Sequence, residues 1–159
     1  MTEEKKERGP SEEDWGNYQA DLDQKWAHDQ YIGRSNEQMQ IYFRNSPIES
    51  ASDLYFMPEI PFRYYMLGYK AYVAARSFKD SHDASDAASC FLSVVLNRLE
   101  EQPRYIVPIM PELLATIEHV GNNQAAFDAK EDIYGKFSDK LEQIRQLYAE
   151  AKDRYRNYR

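Results

Sequence analysis

The sequence predicts an all-α protein: one helical bundle of five to seven helices, with a central antiparallel hairpin and a long C-terminal helix. Three observations carry this. Apolar residues recur at helical spacing over most of the chain. Capping patterns and prolines punctuate those stretches at intervals of one helix length. Residues 62–78 and 84–101 are apolar on more than one face, as the central helices of a bundle are. At 159 residues the chain has the length of one domain, here 11–159, preceded by a charged tail over 1–10.

Taken in order, Ser11-Glu12-Glu13-Asp14 reads as a helix start, with Trp15, Tyr18, Leu22 and Trp26 on one apolar stripe and Gly33 as the stop. Ser35 to Gln38 is a capping box that opens a short helix containing Met39, Tyr42 and Phe43. Ser46-Pro47-Ile48-Glu49 starts a third helix, through Leu54 and Tyr55, that ends before Pro58. Pro58 and Pro61 then bracket a stiff linker. From Phe62 to Phe78 two stripes are apolar, one of Phe62, Tyr65, Met66, Tyr69 and Val73, the other of Tyr64, Leu67, Ala71, Ala74 and Phe78. A helix covered on two sides belongs at the centre, and Gly68 within it implies a close helix crossing. Residues 84–101 are apolar almost all round and pair with 62–78 as the hairpin. Pro103 to Pro111 holds three prolines with apolar residues between them. It reads as a rigid loop over the core or as an exposed binding ridge. Pro111 opens a helix that Gly121 stops. Asp128 to Glu131 forms a capping box for the longest helix, whose Tyr134, Phe137, Leu141, Ile144, Tyr148, Ala151, Tyr155 and Tyr158 follow a strict heptad. At 1.5 Å per residue its roughly 30 residues reach about 45 Å, so residues 147–159 exceed what a bundle of this size covers.

The composition narrows the function. No stretch approaches the roughly 18 apolar residues of a membrane span. The net charge of -7 resides entirely in residues 1–60, which hold 13 acids and 6 bases. That acidity argues against nucleic acid, although Arg154 to Arg159 interleaves cations with tyrosines. It fits solubility, or else an acidic surface for a basic partner, with the acidic first helix as the surface to test. The N-terminus has no apolar h-region, and Cys90 has no second cysteine to pair with, which together point to a reducing, cytoplasmic setting.

No catalytic residue, cofactor site or metal site emerges. The three histidines form no His-x-x-x-His or Glu-x-x-His pair. His82, Asp83 and Asp86 make half a metal site at most and fit a helix cap better. No glycine-rich phosphate loop or nucleophile elbow is present. The expected role is therefore protein–protein interaction without catalysis, through Tyr148, Tyr155 and Tyr158 of the seam and Tyr105, Ile106 and Val107 of the proline loop. The partner is another protein, or a second copy docked through 134–158. The alternative is a helical enzyme or small-ligand protein with Trp15, Trp26, Tyr65, Tyr69 and Tyr72 lining a pocket.

Overall fold

A computed structural model describes residues 8–155, and every regular element among them is helical. Seven helices have nine residues or more: α1 (Leu22–Tyr31), α2 (Asn36–Asn45), α3 (Pro47–Tyr55), α4 (Glu59–Ala75), α5 (Ser81–Glu101), α7 (Met110–Asn122) and α9 (Phe137–Tyr155). Two single turns, α6 (Pro103–Ile106) and α8 (Glu131–Tyr134), join them, together with short 3-10 turns.

The first helix starts ten residues later than its sequence pattern suggests. The chain makes two 3-10 turns, Glu13–Trp15 and Tyr18–Ala20, and Gly16 between them has φ of 59°. Asp21 is the true N-cap, its carboxylate accepting from the backbone N–H groups of Asp23 and Gln24. Breaking the helix there separates the two tryptophans: Trp15 is buried, whereas Trp26 is 59% exposed and Leu22 is exposed beside it. The capping box at Ser35 forms as expected, with Gln38 returning the bond, and α3 begins with Pro47 in its first turn. The linker expected over 57–61 is instead the start of α4. Pro61 is tolerated because the first four N–H groups of a helix have no intrahelical acceptor, and the first bond runs from Phe62 N–H to Pro58 O at 2.9 Å.

Helices α4 and α5 form the antiparallel centre. The Arg98 guanidinium, near the end of α5, lies 4.5 Å from the Phe62 ring, near the start of α4. The first stripe of α4 is wholly buried. The second is covered only in part, since Ala71 and Ala74 are exposed. Gly68 sits where the side chain of Asn36 on α2 crosses. A Cβ there would stand 2.1 Å from Asn36 Oδ1, and Gln40 Nε2 donates to the Gly68 carbonyl at 3.0 Å. α5 packs against α3, α4, α7 and α9.

The C-terminal third departs from the expected single long helix. Asp128 is not an N-cap but a left-handed residue with φ of 56°. Gly135, with φ of 72°, separates α8 from α9. The N-terminus of α9 is satisfied from a distance, as Gln124 Oε1 accepts from Phe137 N–H at 2.8 Å. Among the described residues, α5 has 21 residues and α9 has 19. The heptad seam faces inward, with Phe137, Leu141, Ile144 and Ala151 all buried. Gly121 lies inside α7, not after it, and lets α9 approach.

A Cβ on Gly121 would stand 2.8, 2.9 and 3.1 Å from Leu141 Cδ2, Cβ and Cγ. Leu141 Cβ is fixed to the backbone, so a rotamer change cannot clear the clash. Gly121→Ala is expected to destabilise the fold by about 1–3 kcal/mol through overpacking, despite the roughly 1 kcal/mol that alanine gains in helix propensity. Urea unfolding measures this. A midpoint equal to or above the parent's would show that α7 and α9 slide apart freely.

Candidate functional site

The residues that the sequence nominates do not converge on one site. Ile106 is fully buried and Val107 is 4% exposed. The three prolines start two short turns, α6 and the 3-10 turn Val107–Ile109, and the helix α7, and these fold the apolar residues onto the core. The exposed ridge is therefore absent. Tyr105 is half-buried, its ring 4.8 Å from the Arg98 guanidinium and its carbonyl accepting from Arg63 Nε at 3.1 Å. Tyr148 borders an apolar groove with Leu114, Ile117 and Ile144 between α7 and α9. Tyr155 borders a different groove, beside Leu99, Pro103 and Leu147. Tyr158 lies outside the described residues. Of the seam offered to a second copy over 134–158, Phe137, Leu141, Ile144 and Ala151 are buried within the chain itself. The aromatic pocket of the alternative reading is filled as well. Tyr65, Tyr69 and Tyr72 are fully buried, Trp15 nearly so, and they pack ring against ring, with Trp15–Tyr65 at 6.3 Å and Tyr69–Tyr72 at 5.6 Å.

The histidines and acids resolve into structural partners in most cases. His28 is buried, its ring stacked on Tyr18 at 3.6 Å and 8°. Its Nε2 lies 2.6 Å from Glu12 Oε2 and its Nδ1 2.8 Å from Asp29 Oδ1. Tyr18 and then His28 hold the Glu12 carboxyl below its usual range. Lys25 and then His28 do the same for Asp29. This clasp binds the N-terminal turns to α1. Glu59 pairs with Arg63 and Arg104. Asp86 accepts from Tyr134 Oη at 2.7 Å, and Asp80 caps α5 through Asp83 N–H. Burial pushes the Cys90 thiol up to about 11, which suits a packing residue and not a nucleophile. Among the described residues no group of three or more His, Cys, Asp or Glu is arranged to hold a metal ion, and no helix is long and apolar enough to cross a membrane.

One feature of the surface has no such structural explanation. Between α1 and α3 lies a groove of about 190 Å³ lined by Asp23, Trp26, Glu49, Ser52, Asp53 and Phe56. Helical spacing builds it. Asp23 and Trp26 are three apart on α1, Glu49, Ser52 and Asp53 share one side of α3, and Phe56 is the C-cap that follows it. Trp26 is 59% and Phe56 40% exposed. Asp53 is only 5% exposed, and Tyr31 Oη and Tyr42 Oη both donate to its Oδ2 at 3.1 Å. Desolvation pushes the Asp53 carboxyl up to about 6, with Glu49 adding repulsion. The two tyrosine bonds act in the opposite direction and are outweighed. Burial in turn raises both hydroxyls above the ordinary tyrosine value. Among the described residues no lysine, arginine or histidine forms an ion pair with Asp23, Glu49 or Asp53. Three of the thirteen acids of residues 1–60, Asp23, Glu49 and Asp53, line this groove. Its aromatic half is hidden in the sequence, because Trp26 falls in register with Trp15 on a helix that does not form.

Comparison with protein-family models, with curated proteins and with solved structures returned no match.

Proposed function

We propose that this protein acts by binding a partner protein, not by catalysis, and that the α1/α3 face is its main recognition surface. The carrying observation is the groove whose walls, Trp26 and Phe56, stay exposed while its carboxylates have no cationic partner among the described residues. Tryptophan is the residue type most enriched at binding hot spots, and an exposed apolar patch rimmed by polar groups is what an interaction site presents. The half-buried tyrosines Tyr148 and Tyr155 supply lesser surfaces in separate grooves. A cytoplasmic setting fits the lone buried-side thiol and the acidic face, which also disfavours nucleic acid. A catalytic use of the same groove is the second reading. Its support is Asp53, a carboxyl shifted toward neutrality at a cleft, as acid–base residues often are.

Affinity capture with tagged full-length protein tests the proposal. Partners held by the parent and by a Tyr148→Ala/Tyr155→Ala variant are expected to be lost from Trp26→Ala/Phe56→Ala. Both of these residues are already exposed, so the double variant should keep its fold, which circular dichroism checks. Capture that is identical across all three proteins would sink the proposal.

A further inference from the structure

We infer that the groove between α1 and α3 receives an arginine side chain from a basic segment of the partner. This rests on the binding role proposed for the α1/α3 face and specifies the chemistry that face recognises. At about 190 Å³ the groove is smaller than the roughly 300–1,000 Å³ typical of small-molecule pockets. That favours the head of one long side chain over a whole metabolite. The walls are aromatic, and a cation over an indole or phenyl face is attracted by the ring quadrupole. The lining carboxylates of Asp23, Glu49 and Asp53 lack a cationic partner within the described chain, although Glu12, Asp29, Glu59 and Glu118 all have one. Guanidinium meets both requirements, because it is planar enough to stack on the rings and its fork of donors suits carboxylate oxygens. The charge of the two helices acts in the same direction, since α1 and α3 together hold four acids, Asp23, Asp29, Glu49 and Asp53, against one base, Lys25. Attraction over that face steers a basic segment toward the groove, and the effect weakens with salt.

The test is fluorine NMR on full-length protein labelled with 5-fluorotryptophan. The chain has two tryptophans, and Trp26→Phe assigns their signals. The ligand is an acetylated, amidated Ser-Gly peptide carrying three arginines, compared with the same peptide carrying neutral citrulline. The Trp26 signal is expected to move saturably with the arginine peptide and not with the citrulline one, while the signal of buried Trp15 stays in place. Phe56→Ala and Glu49→Gln should each weaken binding roughly fivefold, the scale of one exposed cation–π or charge contact. Glu142→Gln, a surface acid on α9, should leave it unchanged. Two results would overturn the inference: no saturable movement of the Trp26 signal, or equal weakening by Glu142→Gln, which would mean unspecific attraction. If the peptide fails while Trp26→Ala/Phe56→Ala still loses its captured partners, the arginine is wrong and the binding face stands. If both fail, both fall.

Discussion

Replacing Arg98 with Met is expected to cost about 3–5 kcal/mol of stability, the largest effect of any single surface-neutral substitution here. Arg98 is 3% exposed and forms no ion pair among the described residues. Its Nη2 donates to the carbonyls of Leu54, Tyr55 and Met57 at 2.8, 3.0 and 3.3 Å, and Nη1 donates to Gln102 Oε1. The last carbonyls of a helix have no intrahelical donor, so Arg98 closes the C-terminus of α3 from the far end of α5. The Phe62 and Tyr105 rings lie 4.5 and 4.8 Å from the guanidinium. Two effects compete on substitution. Burial penalises the charge and pulls the guanidinium below its ordinary value, and its Nε has no acceptor, so removing the charge gives some relief. Against this, Leu54 O keeps a bond from Met57 N–H, but the Tyr55 and Met57 carbonyls lose this donor at about 1–3 kcal/mol each, and both ring contacts are lost. Because two carbonyls and two ring contacts are involved, loss outweighs relief. In a domain of this size that corresponds to a melting temperature lower by about 10 °C. A Met variant as stable as the parent in urea would show that desolvation had dominated.

The second large effect is expected at Asp53 and depends on pH. Its carboxyl titrates at about 6 in the folded protein, against an ordinary value of 3.8. Below about pH 4 it is protonated in both the folded and the unfolded chain and costs nothing. Between pH 4 and 6 the unfolded chain releases the proton and the folded one keeps it, so this group lowers stability as pH rises. Above pH 6 the cost is constant. Two pKa units amount to at most about 3 kcal/mol. Asp53→Asn removes the ionisation while its side-chain oxygen can still accept from Tyr31 and Tyr42. The variant is therefore expected to gain on the parent through pH 4–6 and to end about 1–3 kcal/mol more stable above pH 7. The difference between the two proteins is the quantity to follow, because Glu12, Asp29 and Glu118 are shifted downward and give both proteins a slope of the opposite sign. Urea midpoints at pH 4, 5, 6 and 7.5 measure it, and a difference that does not change with pH would refute the assignment. A cation seated in the groove would favour the ionised carboxyl, so binding there is expected to release a proton from Asp53 at pH 5–6.

These two residues also show how far the chain could be read without its fold. Nothing around Arg98 in the sequence distinguishes it from a solvated arginine in the last turn of a helix, where it would merely complement the dipole. Its role comes from carbonyls more than forty positions away. Asp53 likewise looks like an ordinary helical acid between Ser52 and Leu54. Only the meeting of α1, α2 and α3 surrounds it with tyrosines. The heptad in α9 was legible as a pattern, but a pattern of apolar positions does not say whether the covering surface belongs to the same chain or to another. Here α5 and α7 cover it.

What the sequence determined by itself is the helical class, the capping box at Ser35, the proline start of α3, the buried stripe of α4 and the near-continuous burial of α5. All of these follow from local rules: spacing that sets which residues share a face, and caps that satisfy the orphan groups of a helix end. Tertiary structure alone decided where competing local signals resolve. It moved the first N-cap from Ser11 to Asp21, drew Pro61 into a helix, split the last helix at Gly135, buried Ile106 and Val107, and left Trp26 and Phe56 outside. The reason is that these choices differ by only about 1 kcal/mol locally, less than burying one large side chain contributes. Packing over the whole chain therefore settles them, and with them the position of the groove.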